Sequence, residues 1–382
     1  MTIDCTLVGA EVLTTAGWST DPLPIAGGLV QVAPTGREID LSGYIVLPGI
    51  VDPHGDGFER HMAPRRGALR EAEFGVVATA AELAANGITT AVLAQFFSWE
   101  GGMRGPEFAD HVFESVTRVR PTVPIDLRLQ LRLETHLIDE FTRAEHAIER
   151  FGITYVVFND HLPHQRLAEG RKPPRLTGQA LKSGRSPEAH LALMQDLHAR
   201  SSEVPAALDR LADRLCRRGM VLGSHDDHTS QDRAVWAARG ATVSEFPETL
   251  EAARAARADG AHIVLGAPNI VRGASHAGNI AAAELVNEGL CDALASDYHY
   301  PSPLRAAFRL EELGICDLAT AWRLVSAGPA QLLGLQDRGE LAPGKRADLI
   351  VLDPQSRRVV TTLSAGQVAH MSGPIAQRFL SR

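Results

Sequence analysis

The 382-residue chain is short of lysine, of cysteine and of long apolar runs, and each shortage narrows what it can be. Lys occurs only at Lys172, Lys182 and Lys345, so almost all positive charge is Arg. Any site that needs a lysine therefore has three candidates. Four cysteines (Cys5, Cys216, Cys291, Cys316) are scattered without Cys-x-x-Cys spacing and read as reduced core thiols of a cytoplasmic protein. No stretch is long and apolar enough to span a membrane. The opening, MTIDCTLVGAEVL, has no basic region ahead of an apolar run and does not read as a signal peptide. A formal net charge of −8 speaks against general nucleic-acid binding. There is no internal repeat and no low-complexity tail. What is present, 45% hydrophobic and 22% charged residues, is an ordinary globular composition.

The pattern changes twice along the chain. Residues 1–48 read as short strands broken by Gly and Pro, and so do residues 335–382, which suggests one small β-sandwich built from both chain ends. Between them, residues 49–334 alternate short apolar runs with amphipathic helices, the mark of βα units and a parallel sheet. Eight strand candidates stand out. They are YIVLPGIVDPH (44–54), GITTAVLAQ (87–95), IDLRLQLRLE (125–134), TYVVFND (154–160), MVLGSHD (220–226), ATVSEFP (241–247), HIVLGAPN (262–269) and DALASDY (292–298). Asn86-Gly87 closes one helix, Ser186-Pro187-Glu188 opens another, and Pro247 is expected to open a third that stops at Gly260. The fold class expected is α/β, a (β/α)8 TIM-type barrel carrying the sandwich. Residues 165–185, QRLAEGRKPPRLTGQALKSGR, show no apolar face and read either as a solvated loop or as a mobile lid.

In such a barrel the active site lies at the C-terminal strand ends. Polar residues at those ends are His54 and Asp56 on the first strand, Glu134 on the third, His161 on the fourth, His225 on the fifth and Asp297 on the eighth. His54 and Asp56 are two apart in an extended segment and point the same way. A lone His or Asp at any of these places has a bland explanation, as a satisfied core group or a turn residue. Their joint placement on one rim points to a site for divalent metal of the Zn, Mn or Fe class, two ions in number, suited to hydrolysis. Asp297, besides binding metal, is the candidate proton acceptor.

The strand end PGIVDPH, the late Ser-Asp and the terminal APGKRADLIVLD resemble the amidohydrolase superfamily, whose barrel is flanked by a sandwich made from both chain ends. Most of its members carry His-x-His on the first strand and many use a carboxylated Lys. Here the pair is His54-x-Asp56, and no Lys lies on a strand end, so Glu134 is the natural bridging substitute. HGDGFERHMAPRRG, FNDHLPHQR, LGSHDD, SEFPETLEAARAARADG and LGAPNIVRGASHAGNIAAAELVNEGLCDALASDYHYPSPL resemble, more narrowly, the PhnM family. Those enzymes hydrolyse α-D-ribose 1-methylphosphonate 5-triphosphate to the 5-phosphate and diphosphate. The resemblance runs along essentially the whole chain and places metal binding on His54, Asp56, Glu134, His161, His225 and Asp297. It departs beside those ligands. The family pattern His-Thr-Asp-Asn is His54-Gly55-Asp56-Gly57 here, Pro-Arg-Pro is Pro64-Arg65-Arg66, and Asp-His-Ser-Pro-Gly-Gln is Asp160-His161-Leu162-Pro163-His164-Gln165.

A triphosphate substrate gives the remaining polar residues a role. Arg60, His61, Arg65 and Arg66 follow the first strand, and Asn269, Arg272, Ser275 and His276 follow the seventh. Arg forks match phosphate oxygens, and a helix starting near Asn279 would present its positive end. The bland alternative pairs these Arg residues with acids such as Glu59 or Asp226. Asp226 and Asp227 are candidates to orient ligands, while His164, His228 and His299 lie near enough to touch substrate. The expected partner is a small phosphorylated substrate, with no nucleic acid and no membrane, and the superfamily resemblance implies a homo-oligomer. Two other readings stay open at this point: hydrolysis of a C–N bond in a cyclic amide, N-acyl compound or aminated base, and a metal-free scaffold of the same fold.

Overall fold

The computed structural model describes residues 2–63, 71–273 and 279–380. Eight strands form one sheet in sequential order: β1 (Ile50–Gly55), β2 (Ile88–Phe97), β3 (Asp126–Glu134), β4 (Tyr155–Asn159), β5 (Val221–His225), β6 (Val243–Glu245), β7 (His262–Gly266) and β8 (Ala293–Ala295). The registers described are all parallel. Just beyond β8, Asp297 makes a parallel bridge to Gly55 at the end of β1, which returns the eighth strand to the first. This is the (β/α)8 arrangement expected from the alternating pattern. Every residue of β1 and β2 is buried, as parallel strands covered on both faces must be.

The chain divides into two compact units. The first holds Met1–Leu93, Arg118–Arg128 and Val264–Arg382; the second holds Ala94–Thr117 and Leu129–Ile263. The first contains two further sheets. Leu29–Val30, Leu23–Ala26, Cys5–Val8 and Arg37–Asp40 form one. Gln367–Met371, Arg358–Ser364, Leu349–Asp353, Ile45–Pro48, Glu11–Thr14 and Gly17–Ser19 form the other. Leu7, Ile25 and Val46 from the beginning of the chain share one buried cluster with Leu349, Val351 and Leu363 from its end. Each such side chain contributes roughly 1.5–3 kcal/mol by leaving water. Among the described residues, no helix is long and apolar enough to cross a membrane.

Four local expectations need correction. The single strand over 44–54 is two strands, because Gly49 separates Ile45–Pro48 from β1. A Cβ on Gly49 would lie 2.4 Å from Thr89 Oγ1, so the chain passes there only without a side chain. The third helix runs Leu250–Ala258; Thr249, not Pro247, starts it, its hydroxyl accepting from Ala252 N at 3.0 Å. Of the four cysteines, all free, only Cys5 is buried; Cys216 is exposed and the other two are half-buried.

The fourth correction concerns residues 165–185. They form most of helix His164–Ala168 and all of Leu176–Ser183, and they have an apolar side. Leu167 and Leu176 pack with Trp99, Leu162, Met194 and Leu197, while Ala180 is fully buried. Arg185 closes the segment, its Nη1 donating to Trp99 O at 2.9 Å and Glu100 O at 3.0 Å. The apolar positions are too few and too spread to show as a periodic stripe, so only packing against Trp99 reveals them.

Candidate metal centre

In the first unit, the end of β1 is positioned by backbone bonds and close packing. Asp297 N donates to His54 O at 3.0 Å, and Asp56 N donates to Asp297 O at 2.9 Å. Asp297 takes a left-handed conformation, φ 54°, which costs a non-glycine residue energy and is met most often at functional sites. His54 is completely buried. Two residues earlier on β1, Asp52 accepts from Ser296 N at 2.9 Å and Ser296 Oγ at 2.5 Å. Burial drives the Asp52 carboxyl upward in pKa against those two bonds. Gly55 has no room to be anything else: a Cβ would meet Asp52 Oδ2 at 2.7 Å, Ser296 Oγ at 2.8 Å and Tyr300 Cε1 at 2.9 Å. At Gly57 a Cβ would meet Arg60 Nη1 at 2.9 Å and Tyr298 O at 3.0 Å. The glycines on either side of Asp56 therefore answer to the segment Tyr298–Tyr300.

In the second unit, the strand ends are positioned by side-chain charge. Trp99 Nε1 donates to Glu134 Oε2 at 3.0 Å, and His161 N donates to the same oxygen at 3.2 Å. The other Glu134 oxygen contacts His161 Nδ1. Burial pushes the His161 pKa down, but Glu134 more than offsets it and holds it above the ordinary value. Glu100, Glu134 and His161 each present a ligand atom within 4.8 Å of the others, a spacing that suits the shell of one divalent ion. His225 sits between Asp226 Oδ2, 2.9 Å from its Nδ1, and Arg132 Nη2, 3.0 Å from its Nε2. Burial keeps this imidazole below its ordinary pKa and so neutral, the form that binds metal.

The residues expected to meet phosphate have these neighbours. Arg60 Nη1 donates to Tyr298 O at 3.0 Å, its Nη2 pairs with Glu82, and its guanidinium lies 5.3 Å from the Tyr300 ring centre. His61 Nε2 is 2.6 Å from the same Glu82 carboxylate. Arg272 Nη1 donates to Tyr298 OH at 2.7 Å. Asn269 accepts from Ala282 N at 3.0 Å, at the start of helix Ala282–Asn287, three residues later than the helix start expected at Asn279. Arg65, Arg66, Ser275 and His276 lie outside the described residues. Of the further candidates, Asp226 touches His225, whereas Asp227 is a buried brace that accepts from Ser224 Oγ at 2.5 Å and Ser244 Oγ at 2.8 Å. His228 meets Glu248 at 3.2 Å and His299 meets Ser302 Oγ at 2.7 Å.

Two residues at these ends escape a sequence reading limited to the six named ligands. Glu100 follows β2 and joins Glu134 and His161. Glu245 ends β6 in register with His225, and its Oε1 accepts from Tyr155 OH at 2.6 Å and Gln130 Nε2 at 2.8 Å. A carboxylate closing the otherwise apolar run ATVSEFP was the available signal for Glu245.

The amidohydrolase family pattern matches residues 188–370 of the chain. An alpha-D-ribose 1-methylphosphonate 5-triphosphate diphosphatase of Escherichia coli (strain K12) is 36% identical over 325 residues, which is 82% of this chain and 84% of that protein. An adenine deaminase of Gluconobacter oxydans is 41% identical over only 78 residues, 20% of this chain and 13% of that protein. Among solved structures, a Xaa-Pro dipeptidase with bound methionine aligns with a TM-score of 0.65 at 14% identity, covering 95% of this chain and 98% of that one. A dihydropyrimidinase from Brevibacillus agri aligns with a TM-score of 0.52 at 14% identity, covering 97% of this chain and 95% of that one. At such identities the two structures speak for the fold alone.

Proposed function

The chain belongs to the amidohydrolase superfamily, in the family of the alpha-D-ribose 1-methylphosphonate 5-triphosphate diphosphatases, and from that membership we propose that it hydrolyses such a triphosphate to the 5-phosphate and diphosphate. The observation that carries this reading is the 36% identity sustained along 82% of the chain. The donors fit the metal dependence of the superfamily, being imidazoles and carboxylates at the ends of the barrel strands. His54, Asp56 and Asp297 with Glu134, His161 and His225 are the ligands on this reading. Divalent ions of the Zn, Mn or Fe class, two in number, would lower the pKa of water and offset charge on the phosphoryl oxygens.

The chain's own side chains do the rest. Asp297 takes the proton of the attacking water. Arg60 and Arg272, both hydrogen-bonded to Tyr298, receive phosphate oxygens, together with His61, Arg65, Asn269, Ser275 and His276. Work in the cytoplasm as a homo-oligomer accords with the family. The second reading, C–N hydrolysis, has support from the short stretch shared with adenine deaminases.

The test is diphosphate release by the metal-loaded protein from ribose 1-methylphosphonate 5-triphosphate, beside nucleoside triphosphates and cyclic amides. Efficient release from the phosphonate alone is expected. Silence there, with turnover of an uncharged amide or amine, would transfer the site to C–N hydrolysis.

A further inference from the structure

Three histidines and an aspartate of the second unit gather on one cavity wall, and none of them is among the six ligands above. We propose that His136, Asp160 and His164 form an additional site for a divalent ion of the zinc class, with His198 and Ser201 holding the two imidazoles in place. His136 lies two residues past β3, Asp160 directly follows β4, and His164 opens helix His164–Ala168. One ligand atom from each lies within 4.8 Å of the other two. His164 Nε2 is 3.0 and 3.2 Å from the Asp160 oxygens, and His136 Nδ1 is 3.6 Å from Asp160 Oδ1. Donors about 2.0–2.2 Å from a tetrahedral ion stand roughly 3.3–3.6 Å apart, so little movement is needed to receive one.

The outer nitrogens strengthen the case. A ligating imidazole needs its second ring nitrogen engaged, which fixes the tautomer and aims the lone pair. Ser201 Oγ gives its proton to His198 O at 2.7 Å, so it accepts from His136 Nε2 at 3.2 Å. On its other side, His136 Nδ1 is 3.0 Å from the Thr135 hydroxyl and 3.6 Å from Asp160 Oδ1. His164 Nδ1 is in turn 2.9 Å from His198 Nδ1. The rings of His136, His164 and His198 follow one another at centroid distances of 4.7 and 5.1 Å. They line a cavity of about 570 Å³ whose other wall includes Val204, Leu208 and Trp236. Three protein ligands on a cavity wall leave the fourth position of the ion to water or to an anion in that cavity.

The site's ligands are residues other than the six, although His161 and His225 line the same cavity, and its test needs no substrate. The full chain, stripped with a chelator, is titrated with Co²⁺ and followed by visible absorption, with bound metal counted by plasma emission. His164→Asn and His136→Asn are compared with the unaltered chain and with His228→Asn, an exposed histidine paired with Glu248. Each of the first two variants is expected to bind one equivalent fewer than the other proteins and to lose the same tetrahedral cobalt band. Equal stoichiometry and equal spectra in all four proteins would overturn the site and leave a hydrogen-bonded cluster. Should His136→Asn fail to fold, His164→Asn decides alone, because His164 is 35% exposed at the start of a short helix.

Discussion

Around the end of β1, position comes from shape: two backbone bonds tie Asp297 to His54 and Asp56, and Gly55 fits under Tyr300 with no room for a methyl group. Around the ends of β3, β4 and β5, position comes from charge: Glu134 binds Trp99 and His161, His225 lies between Asp226 and Arg132, and Asp227 holds two serines. A shaped rim resists titration and is sensitive to volume. A charged rim tolerates small changes of volume and is sensitive to loss of a partner. The first kind of support suits a residue that must move a proton at a fixed atom, and the second suits ligands whose charge an ion will share.

That contrast is open to measurement. The largest effect is expected at Asp297, the group proposed to accept the proton: Asp297→Asn lowers kcat by about 10²–10⁴ with the fold intact. Near-normal turnover would remove Asp297 from the chemistry. Next comes the brace beneath β5. Arg233 is buried, its Nε 2.8 Å from Asp259 and its Nη1 2.9 Å from Ser224 Oγ, so Arg233→Ala strands buried partners and costs about 3–5 kcal/mol. A loss under about 1 kcal/mol on urea unfolding would mean that charge does not hold that rim. Arg272→Ala removes a guanidinium hydrogen-bonded to Tyr298 and is expected to weaken phosphorylated substrates by about 1.5–3 kcal/mol while sparing neutral ones. Equal weakening of both would make Arg272 a brace.

Smaller effects bear on volume and on thiols. Gly55→Ala pushes a methyl group into Asp52, Ser296 and Tyr300 and is expected to cost about 1–3 kcal/mol by denaturant midpoint. A neutral result would show that the end of β1 yields as easily as a loop. Last, alkylation at pH 8 is expected to mark exposed Cys216 well before Cys5, whose thiol burial pushes up to about 11. Equal labelling rates at the two would show that the core around Cys5 opens readily.

Much of this was legible from residue order. The barrel strands fall on the runs that mark them, except that the first run, 44–54, is two strands parted at Gly49, because a strand buried on both faces draws on an apolar segment. His54, Glu134 and His225 fall on strand ends, while His161 and Asp297 each lie two residues beyond theirs. The helices within 165–185 were hidden, since Leu167, Leu176 and Ala180 make no stripe until Trp99 supplies the surface they cover. Glu100 was hidden for another reason: one carboxylate after a strand looks the same in sequence whether it faces a ligand or solvent, and Glu245 was marked only by closing its run.

Order along the chain decided the (β/α)8 architecture, because hydrophobic periodicity is local and each βα unit states its own buried face. It also left no lysine on a strand end to serve as a metal ligand, with three lysines in the whole chain. Tertiary packing decided which partner each polar group keeps. Arg60 and His61 share Glu82, Tyr298 links Arg60 to Arg272, and His136, Asp160, His164 and His198 meet from three separate segments. Charge–charge and hydrogen-bond energies turn on separations of an ångström or so between residues far apart in the chain, and only the folded backbone sets those separations.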